Sequence, residues 1–112
     1  MGLPTSLRLR RSADFDRVSR HGRRIGTKGL TVLYCPNDTM SPRFGLAVSR
    51  KVGNAVVRNR VKRWLREAVR NSRGSVTGLD VVFVARPLAA RASASILANE
   101  VREALARIGG TR

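Results

Sequence analysis

The chain has 112 residues, of which 23 are Lys or Arg and 7 are Asp or Glu, so its formal net charge is +16 at pH 7. This length suits a single domain, and a hydrophobic content of 42% excludes wholesale disorder. So much positive charge on a small protein indicates a polyanionic partner, with nucleic acid ahead of an anionic membrane surface.

The cysteine content and the N-terminus bear on location. Cys35 is the single cysteine, which excludes an internal disulfide framework and a thiolate zinc site. The N-terminus is basic but lacks the apolar run of a signal peptide, and no stretch approaches the length of a membrane span. We therefore expect a soluble, cytoplasmic protein.

The first eleven residues contain three arginines and a proline, and we expect them to form a mobile basic arm ahead of one domain over residues 12–112. A short helix is predicted from Ala13 to Arg20. Ser12 is its candidate N-cap, and the acidic residues in its first turn interact favourably with the positive end of the helix dipole. Gly22 is expected to end it.

Three strands and two longer helices follow. Alternating or continuous apolar residues predict the strands Leu30–Cys35, Arg43–Ser49 and Leu79–Ala85. Apolar residues at helical spacing predict helices over Ala55–Asn71, capped by Asn54, and Ala94–Ile108, stopped by Gly109-Gly110. The order α-β-β-α-β-α indicates an α+β fold, an α/β sandwich with helices packed on a mixed sheet.

The positive charge is concentrated on the first of the two long helices. The window Arg50–Arg73 holds nine basic residues and one acid, Glu67, a net charge of +8 in 24 residues. The apolar stripe predicted to face the core leaves the rest of the helix surface to cations, and a purely structural helix would interleave acids there, as the last helix does. This pattern predicts a phosphate-binding helix.

Residues 51–63, KVGNAVVRNRVKR, and the preceding RFGLAVSRK at 43–51 resemble the bacterial ribonuclease P protein subunit. The resemblance runs from about Ser12 to Ile108 and includes Asp14-Phe15, His21-Gly22-Arg23, Asp80-Val81-Val82 and Ala85-Arg86. It implies a protein that assists removal of the 5′ leader from precursor tRNA, with the chemistry and the Mg²⁺ ions held by the RNA subunit and none bound by the protein. It also implies one protein per RNA subunit and a left-handed βαβ crossover, although general rules favour the right-handed form.

The resemblance assigns the basic helix to the RNA subunit and a cleft between the first helix and the sheet to the single-stranded leader. Arginine guanidinium groups and an asparagine amide can form hydrogen bonds with phosphate and 2′-hydroxyl groups. The expected RNA-subunit contacts are Arg58, Asn59, Arg60, Lys62, Arg63 and Arg66. Unpaired bases stack on aromatic rings beside scattered cations. The expected leader contacts are the rings of Phe15 and Tyr34 in a common groove, with Arg17, Arg20, Lys28, Arg43 and Arg50 as phosphate partners.

One departure from the family pattern and two alternative functions accompany this interpretation. Ser19 stands one turn after Phe15, where the family pattern has a second aromatic, and core packing is the other explanation of Phe15. The seven acids each have a local explanation, and His21 at a helix end is expected to meet the last carbonyls, so we expect no catalytic residue in the protein. The alternatives are a non-catalytic or ribosome-associated RNA-binding protein, and a DNA-binding helix, for which no dimer interface or base-reading residues are visible.

Overall fold

Helices lie on both faces of a four-stranded mixed sheet in the computed structural model, which describes residues 7–110. The α-helices are α1 (Ser12–His21), α2 (Ala55–Ser72) and α3 (Ala94–Gly110), and the strands are β1 (Arg23–Gly26), β2 (Leu30–Pro36), β3 (Arg43–Ala47) and β4 (Leu79–Ala85). Short 3₁₀ turns cover Arg73–Ser75 and Pro87–Arg91. The α+β class and the mixed sheet are confirmed.

The observed order, α-β-β-β-α-β-α, contains one strand more than predicted. The extra strand, β1, has the sequence RRIG and buries only Ile25, so it offers no apolar alternation from which to predict it. It exists because β2 pairs with it antiparallel along its whole length. Its backbone hydrogen bonds, rather than its side chains, therefore place it at the edge of the sheet.

The strand order is β1-β2-β4-β3, with β4 antiparallel to β2 and parallel to β3. The connection between β3 and β4 is α2, so the adjacent parallel strands that a βαβ crossover requires are present. The hand of this crossover stays a prediction from the resemblance.

Two apolar clusters lie on opposite faces of the sheet. The larger one joins the sheet to α2 and α3 and includes Leu65, Phe83 and Leu105. The smaller one lies under α1 and contains Leu9, Val18, Leu33, Cys35 and Val82. The two long helices are thus held by the main core, whereas α1 depends on a small one.

The ends of several elements differ from prediction. Arg11 rather than Ser12 precedes the first helical residue, and it makes no side-chain cap bond. Asn54 caps α2 as predicted, its Oδ1 accepting from the amide of Val57 at 3.0 Å. The strand β3 ends at Ala47, two residues early, and α3 continues through Gly109 to Gly110.

The segment before α1 is partly packed on the sheet. Leu9 is 5% exposed, and its amide donates to the carbonyl of Phe44 at 2.8 Å, while Arg8 forms an isolated parallel bridge with Phe44. The expected mobile arm over residues 1–11 is therefore wrong for residues 8 and 9, because they cover the free edge of β3. Residues 1–6 of that arm lie outside the described part of the chain.

Candidate nucleic-acid interface

The helix α2 turns its apolar stripe to the core and its cations outward. Val61, Leu65, Ala68 and Val69 are its buried residues. Val69 replaces Val57 and Trp64 of the predicted stripe as a fully buried member, and those two are half-buried. Apolar contacts therefore orient the helix, and the surface opposite the stripe is left to polar and charged side chains.

The cationic surface of α2 lies on the side away from this stripe. Its members, which we call the α2 face, are Arg58, Asn59, Lys62, Arg63 and Arg66. Asn59, Arg63 and Arg66 are exposed, and Arg58 and Lys62 are half-buried. Among residues 7–110, every ion pair involves Asp80 or Asp14, and none involves a side chain of α2. The carboxylates of the described chain thus do not neutralise these cations, and the exposed members face solvent, although Nε of Arg58 is buried.

Arg60 differs from the other cations of α2. Its guanidinium carbon lies 5.2 Å from the centroid of the Trp64 ring, and its Nη2 donates to the carbonyl oxygen of Ala90 at 3.3 Å. A cation over an aromatic face is an intramolecular attraction that competes with an external phosphate. Arg60 therefore joins α2 to the turn before α3, and we do not keep it in the α2 face.

A groove of about 490 Å³ runs along the edge of β3, between α1 and α2. Its lining includes Phe15 of α1, Lys62 and Arg66 of α2, and Arg10 of the segment before α1. Phe15, which we expected to contact the leader, therefore lines the same groove as Lys62 and Arg66, which we expected to contact the RNA subunit.

The face of the sheet opposite α2 and α3 is covered by α1 from one end to its middle. The contacts of α1 fall on Cys35, Pro36, Asp80 and Arg43 at that end and reach Gly45 in the middle row.

At the other end of this sheet face, Thr31, Ala47 and Val84 lie side by side in register and are half-buried. We call these three residues the open sheet face. Together with α1 they form a shallow cleft.

Phe15 lies at the border of this cleft, half-buried against the small cluster. Its ring packs over Gly45 so closely that an added Cβ there would be 2.6 Å from the Phe15 Cζ atom. The ring is thus fixed by a glycine below it while part of its surface remains accessible. Both expected roles of Phe15, packing and a platform for a base, fit this position.

Tyr34 does not share a groove with Phe15, and that prediction is wrong. Tyr34 is opposite Val81 in β4, and Val81 is opposite Phe44 in β3, so the three side chains lie on one face of the sheet. That face is the one packed against α2 and α3, where Tyr34 contacts the main core. The alternation of β2 was predicted correctly, but which layer covers each side depends on tertiary packing.

Arg17 and Arg43 are also not free phosphate partners, because both bind a buried carboxylate. Asp80 is fully buried, and its oxygens accept from Nε and Nη2 of Arg43 at 2.8 and 2.7 Å and from Nη2 of Arg17. The hydrogen bond with Asp80 raises the pKa of Arg43 further above its ordinary value. Each acid was expected to have a local role as a cap, a turn residue or a helix-face partner. Asp80 instead binds two arginines that are distant in sequence, and the sequence pattern did not predict this.

Cys35 lies beside this pair. Its Sγ accepts a hydrogen bond from Nη1 of Arg17 at 2.8 Å, and burial raises the pKa of its thiol despite the opposing effect of that arginine. The thiol is thus neutral at physiological pH.

The remaining predicted leader cations, Arg20, Lys28 and Arg50, are exposed. Lys28 lies in the turn between β1 and β2, which is held by Glu100 through the amide of Gly29 at 2.9 Å. Both this turn and the loop containing Arg50 leave the open end of the sheet. Lys28 and Arg50 are therefore positioned at the rim of the cleft.

Sequence reasoning also missed Arg24 and the open sheet face itself. Arg24 is opposite Leu33, which places it on the α1 side of the sheet, and it is exposed. No motif marks these positions. Arg24 is placed by the pairing of β1 with β2, and the open sheet face by the register of β2, β3 and β4.

Residues 7–110 contain no group of three His, Cys, Asp or Glu side chains arranged to hold a metal ion. Within the same part of the chain, no helix is both long and apolar enough to cross a bilayer. The chemistry that this surface offers is the binding of phosphates and bases by cations, an amide and a ring.

Comparison with known proteins gives one family. A family model described as Ribonuclease P matches residues 3–109. The ribonuclease P protein component of Thermobifida fusca is 46% identical over 107 residues, covering 88% of this chain and 73% of that protein. The component from a Nocardioides species is 43% identical over 111 residues, covering 96% and 95%.

Comparison with solved structures gives the same family. The structure of a Staphylococcus aureus RNase P protein mutant with defective mRNA degradation activity superposes with a TM-score of 0.85 at 29% identity, covering 94% of this chain and 89% of that one. The Thermotoga maritima RNase P protein gives 0.81 at 31% identity, covering 89% and 96%. The chain therefore belongs to the ribonuclease P protein family, the protein subunit of an RNA-based endoribonuclease.

Proposed function

We propose that this chain binds the ribonuclease P RNA through the α2 face, one protein per RNA, and binds the 5′ leader of precursor tRNA in the cleft between α1 and the open sheet face. By holding the leader it assists the endonucleolytic cut that gives the mature tRNA 5′ end in the cytoplasm. The Mg²⁺ ions that activate the attacking water are held by the RNA subunit in this proposal, and the protein contributes binding.

The observation that carries the proposal is the lack of carboxylate partners on the α2 face in the described chain. All the ion pairs there involve Asp14 or Asp80, away from α2. Like charges three and four residues apart weaken a helix in isolation. A polyanion relieves this repulsion and releases counterions as it binds.

The cleft suits a single strand rather than a duplex. It has a half-buried floor of small and branched side chains, one aromatic ring at its border, and exposed cations at its rim. Such a combination binds bases by stacking and the backbone by charge, with little dependence on base identity. Because Tyr34 is on the other face, Phe15 is the one predicted ring left in this cleft, and Ser19 supplies no second one.

Replacing Phe15 by Ala is expected to reduce the affinity of the assembled enzyme for leader-bearing precursor tRNA by about 1–3 kcal/mol, the contribution of one stacked base. Affinity for mature tRNA should not change, since it has no leader. Equilibrium binding of both RNAs to the reconstituted enzyme measures this difference.

Phe15→Leu is the matched control, because it keeps apolar contact with the small cluster but has no aromatic face. The proposal predicts that Leu restores stability and not leader affinity. An equal loss of affinity for precursor and mature tRNA would contradict the leader site and favour the alternative, a subunit that binds RNA without contacting the leader.

A further inference from the structure

Asp80 is the one fully buried charged residue in the described chain. It lies in a row across the sheet between Cys35 of β2 and Arg43 of β3, on the side covered by α1. A buried carboxylate is costly unless hydrogen bonds and opposite charge compensate it. The hydrogen bonds to its oxygens therefore show which elements it links.

Four donors surround its two oxygens. Oδ1 accepts from Nε of Arg43 at 2.8 Å and from Nδ2 of Asn37 at 3.1 Å. Oδ2 accepts from Nη2 of Arg43 at 2.7 Å and from Nη2 of Arg17. Arg43 and Asn37 belong to the sheet and its loop, so the bond from Arg17 is the one that links this carboxylate to the helical layer.

The helix α1 has few other anchors. It buries one side chain completely, Val18, and its N-terminus lacks a side-chain cap. Phe15 and Arg17 are about 200° apart around the helix axis. Phe15 is held over Gly45 on one side, and Arg17 is held on the other by Asp80 and by the Pro36 carbonyl at 3.0 Å. The ion pair between Asp14 of α1 and Nη1 of Arg43, at 3.6 Å, is longer than these contacts. Phe15 and Arg17 are thus the two close anchors, and because they lie on opposite sides they fix the rotation of a helix that Val18 alone would not fix.

We propose that Asp80 is a positioning residue for leader binding: through Arg17 it sets the rotation of α1 and so places Phe15 at the cleft. This inference rests on the leader site proposed above. Asp80 itself touches no RNA, because it is completely buried.

Asp80→Asn separates positioning from charge, because the two effects have opposite signs. The substitution raises the net charge by one and removes the carboxylate partner of Arg17 and one of the two carboxylate partners of Arg43, so electrostatics alone would strengthen RNA binding. Positioning predicts that affinity of the assembled enzyme for precursor tRNA falls roughly tenfold relative to mature tRNA, a partial loss of one stacked base. Affinity for the RNA subunit should be unchanged or higher. Unchanged or tighter precursor binding would overturn the proposal.

Arg17→Met is the second variant, since it leaves Asp80 paired with Arg43 and Asn37 and so spares the sheet. We expect it to reproduce the loss, and Arg17→Lys to restore most of it. Arg107→Met is the matched control, because it removes one charge from an exposed site on α3. An equal loss in Arg107→Met would show a charge effect and overturn the proposal.

Labelling of Cys35 reports the position of α1 independently of RNA binding. The thiol is 6% exposed beneath Arg17 and is the single cysteine of the chain. Because Arg17 lowers the pKa of this thiol, its removal alone would slow reaction with N-ethylmaleimide. If α1 is displaced, we therefore expect faster labelling in assembled Arg17→Met enzyme than in the wild type, and unchanged or slower labelling contradicts the displacement.

The two proposals fail differently. If the wild-type enzyme does not distinguish precursor from mature tRNA, the leader site itself is wrong. If the wild type distinguishes them and Asp80→Asn does so equally well, the leader site stands and the positioning role of Asp80 is wrong.

Discussion

Replacing Lys62, Arg63 and Arg66 together by Ala will weaken binding to the ribonuclease P RNA by about 4.5 kcal/mol at low salt, if each side chain makes one charge-assisted hydrogen bond of about 1.5 kcal/mol to the RNA. None of the three is paired with an acid, so their removal leaves no unpaired carboxylate and costs the fold little. The salt dependence should also become shallower, by about 0.7–0.9 in log–log slope for each phosphate that is no longer neutralised. Binding titrations across a range of KCl concentrations measure both effects.

The control is a second triple variant that removes the same charge elsewhere. Arg91, Arg102 and Arg107 are exposed and lie outside α2. We expect their replacement by Ala to change affinity and slope much less, because it removes only long-range electrostatic attraction. If both triple variants reduce affinity and slope equally, the RNA is held by net charge and not by the α2 face.

Leu65→Ala is expected to destabilise the free protein by about 2–5 kcal/mol, because it opens a cavity where α2 meets the main core. Leu65 is fully buried, and it belongs to the cluster that holds α2 and α3 on the sheet. Such a loss is a large fraction of the stability of a small domain. Urea unfolding monitored by circular dichroism measures it.

Leu65→Met keeps most of the volume and should cost less than about 1.5 kcal/mol. Saturating ribonuclease P RNA should raise the apparent stability of the Ala variant, since the RNA binds the folded state. A cost below about 1 kcal/mol for Leu65→Ala would mean that this core does not hold α2 in place.

The basic helix was the most predictable part of the chain. Its start, its cap at Asn54 and its buried stripe depend on residues within a few turns of one another, and the structure has them close to where the pattern predicts. The outward direction of Arg63 and Arg66 follows from the same periodicity. Local spacing thus predicted the α2 face, apart from the diversion of Arg60 to Trp64 and Ala90.

The cleft proposed for the leader was less predictable because its residues come together from separate elements. Asp80 meets Arg43 and Arg17 across sequence separations of 37 and 63 residues, which no local pattern records. The face occupied by Tyr34 depends on which helices cover which side of the sheet. A signal was nevertheless available: Tyr34 alternates in phase with Leu30 and Val32, the fully buried residues of β2.

Reconstitution with a bacterial ribonuclease P RNA tests the claim that this fold serves an RNA catalyst by binding. At low Mg²⁺ concentration and saturating protein, the wild-type chain should increase cleavage of precursor tRNA by that RNA. The Lys62, Arg63 and Arg66 triple variant should need far more protein for the same increase. Cleavage no faster than with the RNA alone would contradict the account.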